Sequence, residues 1–587
     1  MRDNEKKVLV NSLIVLGLIL NVSLFYILFY IVLSPYNYPI PPRSKTLIWG
    51  MGASPPYIDP TDSWDSQANV VIRQCTESLW WYNYSDPTLP LIRVLAGSEQ
   101  WISITQLRVT VRQGVYFHDG TPFNADAAIW NLERLEYLCN HTGALDPATH
   151  RRAHTASLYE FPDGSPIIKN ITKISEFVFD IYLNAPFSDL LDIYAYVCGN
   201  MLSPTAHAAQ AQRFISLQET LVGTGPFIYE SYVADTEIRF SKNENYNGPP
   251  GWDDRAYFDY LIFSIIVDPP TRNYAMLAGD IDWIQGAITD LYDTYRADPL
   301  ITFYESEIPG IGFSYCGMNN HIINVTWRKA ISYAVNYTYI ISDYYQDTVL
   351  RAYGPLSPAF GAYYKPEFDA IAPYMNYSIA RQTLLDGLAG DARIAGLTAE
   401  EFGANSTNDA NWAASGLITF NYSGNLDNQF RADMLTMLQL WFDRIGITVL
   451  NGLTSWDYFL KLIHGFTPNG FDDLELYWVV WDSEYFSPMN QIQPLMSNMS
   501  LSNSAQVNDP QMEAWFVQWS LTTDLADRIE LCHNISEYIA RVLYPYVWVY
   551  HPKVISVHAV DLYNCPYNAL GNFWAYPIMR NETWVPF

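Results

Sequence analysis

The chain has 587 residues, a net charge of −28 and a pI near 4.6, so it carries no basic footprint for nucleic acid and none is expected as a partner. It is 49% hydrophobic, enough for packed cores across two or three domains, which excludes wholesale disorder. Charged residues reach only 16% and aromatics also 16%, a balance that suits a protein working outside the cytosol.

Taken from the N-terminus, residues 1–7 read as a cytoplasmic leader. Val8–Leu33 is an uncharged run that as a helix would reach ~39 Å, enough to span a bilayer with tilt. Lys6 and Lys7 precede it, which places the remainder outside by the positive-inside rule. No small-x-small cleavage site follows, so the run is expected to be a permanent single-pass membrane anchor. Residues 34–44 follow as a Pro-rich, semi-rigid spacer. Eleven Asn-x-Ser/Thr triplets lie beyond the run, from Asn83 to Asn581. They exceed the roughly five expected by chance and point to an extracellular, glycosylated protein, although Asn-rich loops also create such triplets on their own.

Past Lys45, strand-like and helix-like segments intermix. Residues 106–117 alternate as a half-buried strand, His118-Asp119-Gly120-Thr121-Pro122 is turn chemistry, and Asn124 caps a helix running to Leu135. Residues 177–183 and 260–267 read as strands. After the second, Asp268-Pro269-Pro270 ends the run and Thr271 is expected to cap a short helix closed by Gly279. Residues 431–445 form an amphipathic helix stopped by Gly446 before the strand that starts at Ile447. Leu525, Ile529, Cys532, Ile535, Ile539 and Val542 give one more helical stripe. The fold class is α/β. Six cysteines without C-x-x-C allow three disulfides or buried free thiols.

Catalytic and metal signatures are missing: no G-x-S-x-G, H-E-x-x-H, P-loop or dinucleotide fingerprint occurs. His150 and His154 sit four apart, but two ligands do not make a site. His118-Asp119 is explained by its turn. Asp472-Asp473 and Asp280/Asp282 are acid pairs whose sequence proximity fixes no catalytic separation. No enzyme, cofactor or metal is expected; a secreted hydrolase is the weaker alternative.

Four stretches, in order, carry a resemblance. They are VRQGVYFHDGTPFNADAAIWNLERL (111–135); GTGPFIYESY, NENYNG and IIVDPPTRNYAMLAGDIDW (223–283); Asn319 with WRKAISYAVN (327–336); and RADMLTMLQLWFDRIGITV (431–449). Together they resemble the family 5 extracellular solute-binding proteins, the receptors of peptide, nickel and oligosaccharide ABC importers, here as an archaeal-type membrane-anchored member. The resemblance implies a two-lobed periplasmic-binding-protein fold of type II, with an extra subdomain in lobe I. It implies lobe I at 45–268, lobe II at 269–488 and a return to lobe I over 489–587. It also implies a monomer that closes on a short peptide or oligosaccharide and delivers it to ABC permease and ATPase subunits. In the peptide-binding branch an Asp three residues after a Trp and four before a Pro pairs with the ligand's ammonium. The matching position in Trp481-Asp482-Ser483-Glu484-Tyr485-Phe486-Ser487-Pro488 is Glu484, an acid longer by one methylene. Asp482 is the alternative acid. Trp481 and Tyr485, with Tyr477 and Trp478, are candidate ligand walls, and Asn319 completes the candidate ligand-binding set. Nickel trails, because no histidine is tied to this segment.

Overall fold

Fourteen residues near the C-terminus, Tyr546–Ala559, form the strand that organises the molecule. A computed structural model describes residues 43–581 apart from 87–88, 144, 147–150, 162, 253–255, 395–402, 404–407, 427, 499 and 501. The expected leader, the anchor at 8–33 and most of the 34–44 spacer therefore lie outside the described residues. Among the described residues no helix is long and apolar enough to cross a membrane. The chain divides into a first unit, Met1–Thr46, and a second, Leu47–Phe587. Of the first, a single 3-10 turn at Arg43–Lys45 is described in full. Everything below concerns the second.

The first half of the Tyr546–Ala559 strand pairs antiparallel with Phe313–Met318, from Gly317 opposite Tyr546 to Ser314 opposite Tyr550. Its second half pairs antiparallel with Ile301–Pro309, from Pro309 opposite Lys553 to Ile301 opposite Ala559. On one side the sheet continues through Leu476–Trp481, Ile418–Asn425 and Ile447–Thr454. On the other it continues through Trp283–Ile284, Thr46–Met51, Tyr260–Ile265, Glu237–Lys242 and Phe227–Val233. Parallel and antiparallel pairs mix, and helices cover the faces, so the fold is a mixed α/β two-lobed one. A separate four-stranded antiparallel sheet (Ala96–Ser103, Gln106–Val111, Val178–Leu183 and Ile168–Ser175) with the helix Ala125–Leu138 makes the subdomain of the first lobe.

Hydrophobic packing follows this pairing rather than the crossings expected at 268 and 488. One core gathers residues from Leu47 to Trp283 with Phe573, Trp574 and Ile578. Met276, Ile281, Ile284 and Ile301 pack with Val557, Ile48 and Ile266, so the stretch after Asp268 stays with the first lobe. Two further cores gather residues from Ile311 to Tyr550. Met489, Phe516, Trp519, Leu531 and Ile535 pack there beside Phe313 and Tyr477. The stretch after Pro488 thus stays with the second lobe, because its helices cover the strand Phe313–Met318.

Local signals resolve largely as their chemistry dictates. The Asn124 side chain accepts from the Ala127 N–H at 3.0 Å and starts the helix Ala125–Leu138. The helix Pro269–Ala278 is capped by Asp268, whose carboxylate accepts from the Thr271 N–H at 2.9 Å. This corrects the expectation that Thr271 is the cap: Pro269 at the first helical position moves the cap one residue upstream. Gly446, at φ 75°, ends the 429–445 helix where a side chain would be strained. All six cysteines are free, and Cys75, Cys139, Cys198, Cys316 and Cys532 are buried, the thiol alternative to a disulfide framework.

Candidate functional site

The strand Leu476–Trp481 runs antiparallel to Phe313–Met318, Leu476 opposite Met318 and Trp481 opposite Phe313. On its other side only Leu476 and Tyr477 pair, with Tyr422 and Ser423. Among the described residues no strand covers that side from Trp478 onward. The peptide groups there form an open edge that leads into the loop 482–487. The loop ends where the Ser487 hydroxyl caps the helix Pro488–Met496, a Ser-Pro start legible in the sequence.

Side chains of that helix hold the loop in shape. Asn490 Oδ1 accepts from the backbone N–H of Glu484 at 2.8 Å and of Tyr485 at 3.2 Å. Gln491 takes the Ser483 hydroxyl and donates to the Ile311 carbonyl at 2.9 Å. Asp482 is solvent-exposed and lies over Gly312, where a Cβ would overlap its carboxylate. Glycine at 312 leaves the room that the Asp482 carboxylate occupies.

Glu484 is half-buried, and its Oε2 atom is buried without a hydrogen-bond partner. Burial pushes the carboxyl up to about 7, against the opposing pull of its own N–H and Asn490, and the charge of Asp482 adds to the rise. Its charge in turn contributes to raising the Tyr196 phenol and the Cys198 thiol of the first lobe, both displaced mainly by burial. The carboxylate is thus within electrostatic reach of that lobe. Among the described residues no lysine, arginine or histidine pairs with Asp482 or Glu484. An acid so placed costs free energy unless something cationic arrives.

The aromatic residues divide. Tyr477 and Trp478 are fully buried in the cores of the second lobe, so they do not form a ligand wall. Tyr485 is 7% exposed and packs into the first lobe's core. Trp481 alone stays half-exposed, and its indole N–H is buried with no acceptor. Asn319 sits at the far end of the Phe313–Met318 strand, roughly 20 Å from Trp481 at strand rise. Its amide donates to the carbonyls of Phe471 and Leu474, each at 2.9 Å, and accepts from the His321 N–H at 3.0 Å. The structure thus brings together Trp481, Asp482, Glu484 and Tyr485, and leaves Asn319 as a fully employed structural amide.

Residues distant in sequence complete the surroundings. The Phe486 ring stacks on Phe360 at 5.1 Å, and its N–H donates to the Tyr82 hydroxyl at 3.1 Å. Tyr82 donates to Asp192 at 3.0 Å. Burial, and then the charge of Asp189, push the Asp192 carboxyl up to about 7. No local pattern flags these partners, because they reach the loop only through tertiary packing. His118 and Asp282 serve the structure, and His150 lies outside the described residues. His118 Nε2 is bonded to the Gly225 carbonyl at 2.9 Å, and burial lowers its pKa to about 4. Asp282 is ion-paired with Arg580. Among the described residues no three His, Cys, Asp or Glu side chains gather to hold a metal.

A family model, "Bacterial extracellular solute-binding proteins, family 5 Middle", matches residues 91–502. Heme-binding protein A of Haemophilus influenzae is 28% identical over 340 residues, covering 53% of this chain and 56% of that protein. Glutathione-binding protein GsiB of Pectobacterium atrosepticum is 27% identical over 319 residues, with shares of 53% and 56%. The chain spans about half the length of these relatives. Among solved structures, DppA of Helicobacter pylori in complex with the peptide STSA matches with a TM-score of 0.72 at 19% identity, over 91% of this chain and 98% of that one. A dipeptide-binding protein of Pseudoalteromonas sp. SM9913, in complex with Met-Leu, matches with a TM-score of 0.72 at 19% identity, over 91% and 100%. These two likenesses show the fold.

Proposed function

Because this chain belongs to the family 5 bacterial extracellular solute-binding proteins, we propose that it is the extracellular receptor of an ABC importer and captures short peptides. The observation that carries this reading is the Glu484 carboxylate at the end of an open strand edge, its buried Oε2 without a partner and no cation beside it among the described residues. An extended peptide would add its backbone to Trp478–Trp481 as a strand and set its terminal ammonium on the buried acid. Glutathione, named for one relative, and the peptides held by the structural neighbours share an amine on a short peptide. The oligosaccharide reading loses its support with Tyr477 and Trp478 in the core, since stacking on sugar rings needs exposed faces.

Closure follows from the pairing. The chain passes between lobes at Gly310–Gly312 and at His551–Lys553, which we propose as the hinge crossings in place of 268 and 488. Two adjacent antiparallel strands bending together let the lobes close, and ligand contacts to both sides supply the energy. The closed receptor would hand its peptide to the permease and ATPase subunits, acting as a monomer without cofactor or catalysis. We further propose that residues 8–33 anchor it to the membrane, on the hydropathy of that run, as the archaeal-type reading has it. Of the ten described triplet asparagines, Asn170, Asn324, Asn421, Asn498, Asn534 and Asn581 are exposed, so a glycan has room at each. N-terminal sequencing of membrane-extracted protein that starts at or after Ser34 would remove the anchor.

Calorimetric titration with trialanine, N-acetyl-trialanine and cellobiose tests the ligand class. Trialanine should bind and its acetylated form should bind at least tenfold more weakly. Binding of cellobiose alone would overturn the peptide assignment.

A further inference from the structure

The loop that carries Glu484 is gripped from the opposite lobe, and the grip centres on one carboxylate. Asp189 is 3% exposed and stands at the N-terminal end of the short helix Leu190–Ala195 in the first lobe. It accepts from the Ser487 hydroxyl at 2.7 Å and from the Trp519 indole N–H at 3.3 Å, and it is ion-paired with Arg528. All three partners belong to the second lobe. Ser487 closes the Glu484 loop, Trp519 lies within that lobe's core, and Arg528 lies on the helix Leu525–Tyr538 that packs there. The Arg528 guanidinium lies 4.4 Å from the centre of the Trp519 ring, which presets its fork toward Asp189.

Three further bonds cross at the same place. Ser188 donates through its N–H to the Ser520 carbonyl at 3.0 Å and through its hydroxyl to the Trp519 carbonyl at 3.1 Å. Tyr82 receives the Phe486 N–H, with its own hydroxyl held by Asp192 inside the first lobe. Each of the three crossing bonds joins a residue of the first lobe to one of the second, so none survives if the lobes part. A buried carboxylate that loses a guanidinium, an indole and a hydroxyl together has a strong preference for the joined state.

We propose that Asp189 is the catch of an inter-lobe latch, a positioning residue that holds Ser487, Trp519 and Arg528 and thereby sets the Glu484 carboxylate in place for the ligand. The inference rests on the peptide-receptor reading for the meaning of Glu484, but the latch itself is defined without any ligand. It separates two jobs on one loop: Glu484 meets the ligand, and Ser487, three residues on, is tied to the far lobe. Lobe closure and correct placement of the acid become one event.

The test compares the whole protein with Asp189→Asn, Arg528→Lys and Ser487→Ala. Small-angle scattering without ligand, hydrogen exchange at residues 482–490 and trialanine titration are the readouts. Asp189→Asn should enlarge the ligand-free radius of gyration, speed exchange in the loop and weaken trialanine by 10- to 100-fold. Arg528→Lys, which keeps the charge but loses the fork, and Ser487→Ala, which loses one bond, should shift each readout less and in the same direction. Unchanged scattering and exchange in Asp189→Asn would overturn the latch. If Asp189→Asn fails to fold, unchanged scattering in both milder variants overturns it instead. If trialanine binds none of the proteins, the peptide reading fails while scattering and exchange still decide the latch.

Discussion

Affinity for a free-amine peptide should follow a bell-shaped pH profile whose acid limb belongs to Glu484. With the carboxyl at about 7, roughly three quarters of it is ionised at pH 7.5 and about one hundredth at pH 5. A peptide amine, with an ordinary pKa of about 7.7–8.0, loses its charge in the opposite direction. Taking the ionised acid and the protonated amine as the competent pair, their product peaks near pH 7.5. It falls roughly fifty-fold by pH 5, which corresponds to about 2.3 kcal/mol. Below about pH 6.5 the slope approaches tenfold per pH unit. Isothermal titration with trialanine in buffers of different ionisation enthalpy measures both the affinity and the protons released, close to one per binding event at pH 6. Glu484→Gln should bind weakly and lose the acid limb. A flat profile between pH 5 and 7 in the parent would refute the reasoning. So would an unchanged limb in the variant, which would assign the titration to Asp192, a carboxyl in the same range.

The same acid should burden the ligand-free fold. Its raised pKa gives a contribution that is complete below about 4.5 and lost as pH rises through about 7, so Glu484→Gln should be more stable than the parent at pH 8, by up to about 3 kcal/mol, with the gap closing toward pH 4 in denaturant titrations. Gly312→Ala would place a methyl where the Asp482 carboxylate lies; the carboxylate must swing aside, so the unfolding free energy should fall by about 1 kcal/mol and trialanine affinity should drop with it, whereas unchanged values for both would mean that the carboxylate has no fixed place in the site. Asn319→Ala removes the amide held by Phe471 and Leu474 and should cost about 2–3 kcal/mol with affinity intact, while weaker binding at unchanged stability would return Asn319 to the site.

The fold was legible where local chemistry and tertiary structure agree. Asn124, Gly279 and Gly446 punctuate helices as their side chains, or lack of one, require. The Trp481–Pro488 spacing, read through the family resemblance, marks the loop that carries Glu484, whose Oε2 is buried without a partner. Strand pairing was not legible. The crossings proposed at 310–312 and 551–553 depend on Ile301–Pro309 and Phe313–Met318 finding one strand some 240 residues away, which no local periodicity encodes. For the same reason Tyr82, Asp189, Phe360 and Arg528 carry no signal in their own neighbourhoods. Ligand wall and strand core are both open to Tyr477 and Trp478 in the sequence, and the two serve packing because the strand Leu476–Trp481 begins with residues buried on both faces. Leu525 and Val542, the ends of the last helical stripe, are exposed, and only its middle, Cys532 to Ile539, meets the core.

The central claim is that the receptor selects short peptides by their free amine at Glu484. Mass spectrometry of the molecules released on denaturing the purified protein tests it most directly. The account predicts short peptides with unblocked N-termini from the parent and their loss from Glu484→Gln purified in parallel. Release of oligosaccharide or haem, or of the same peptides from both proteins, would contradict it.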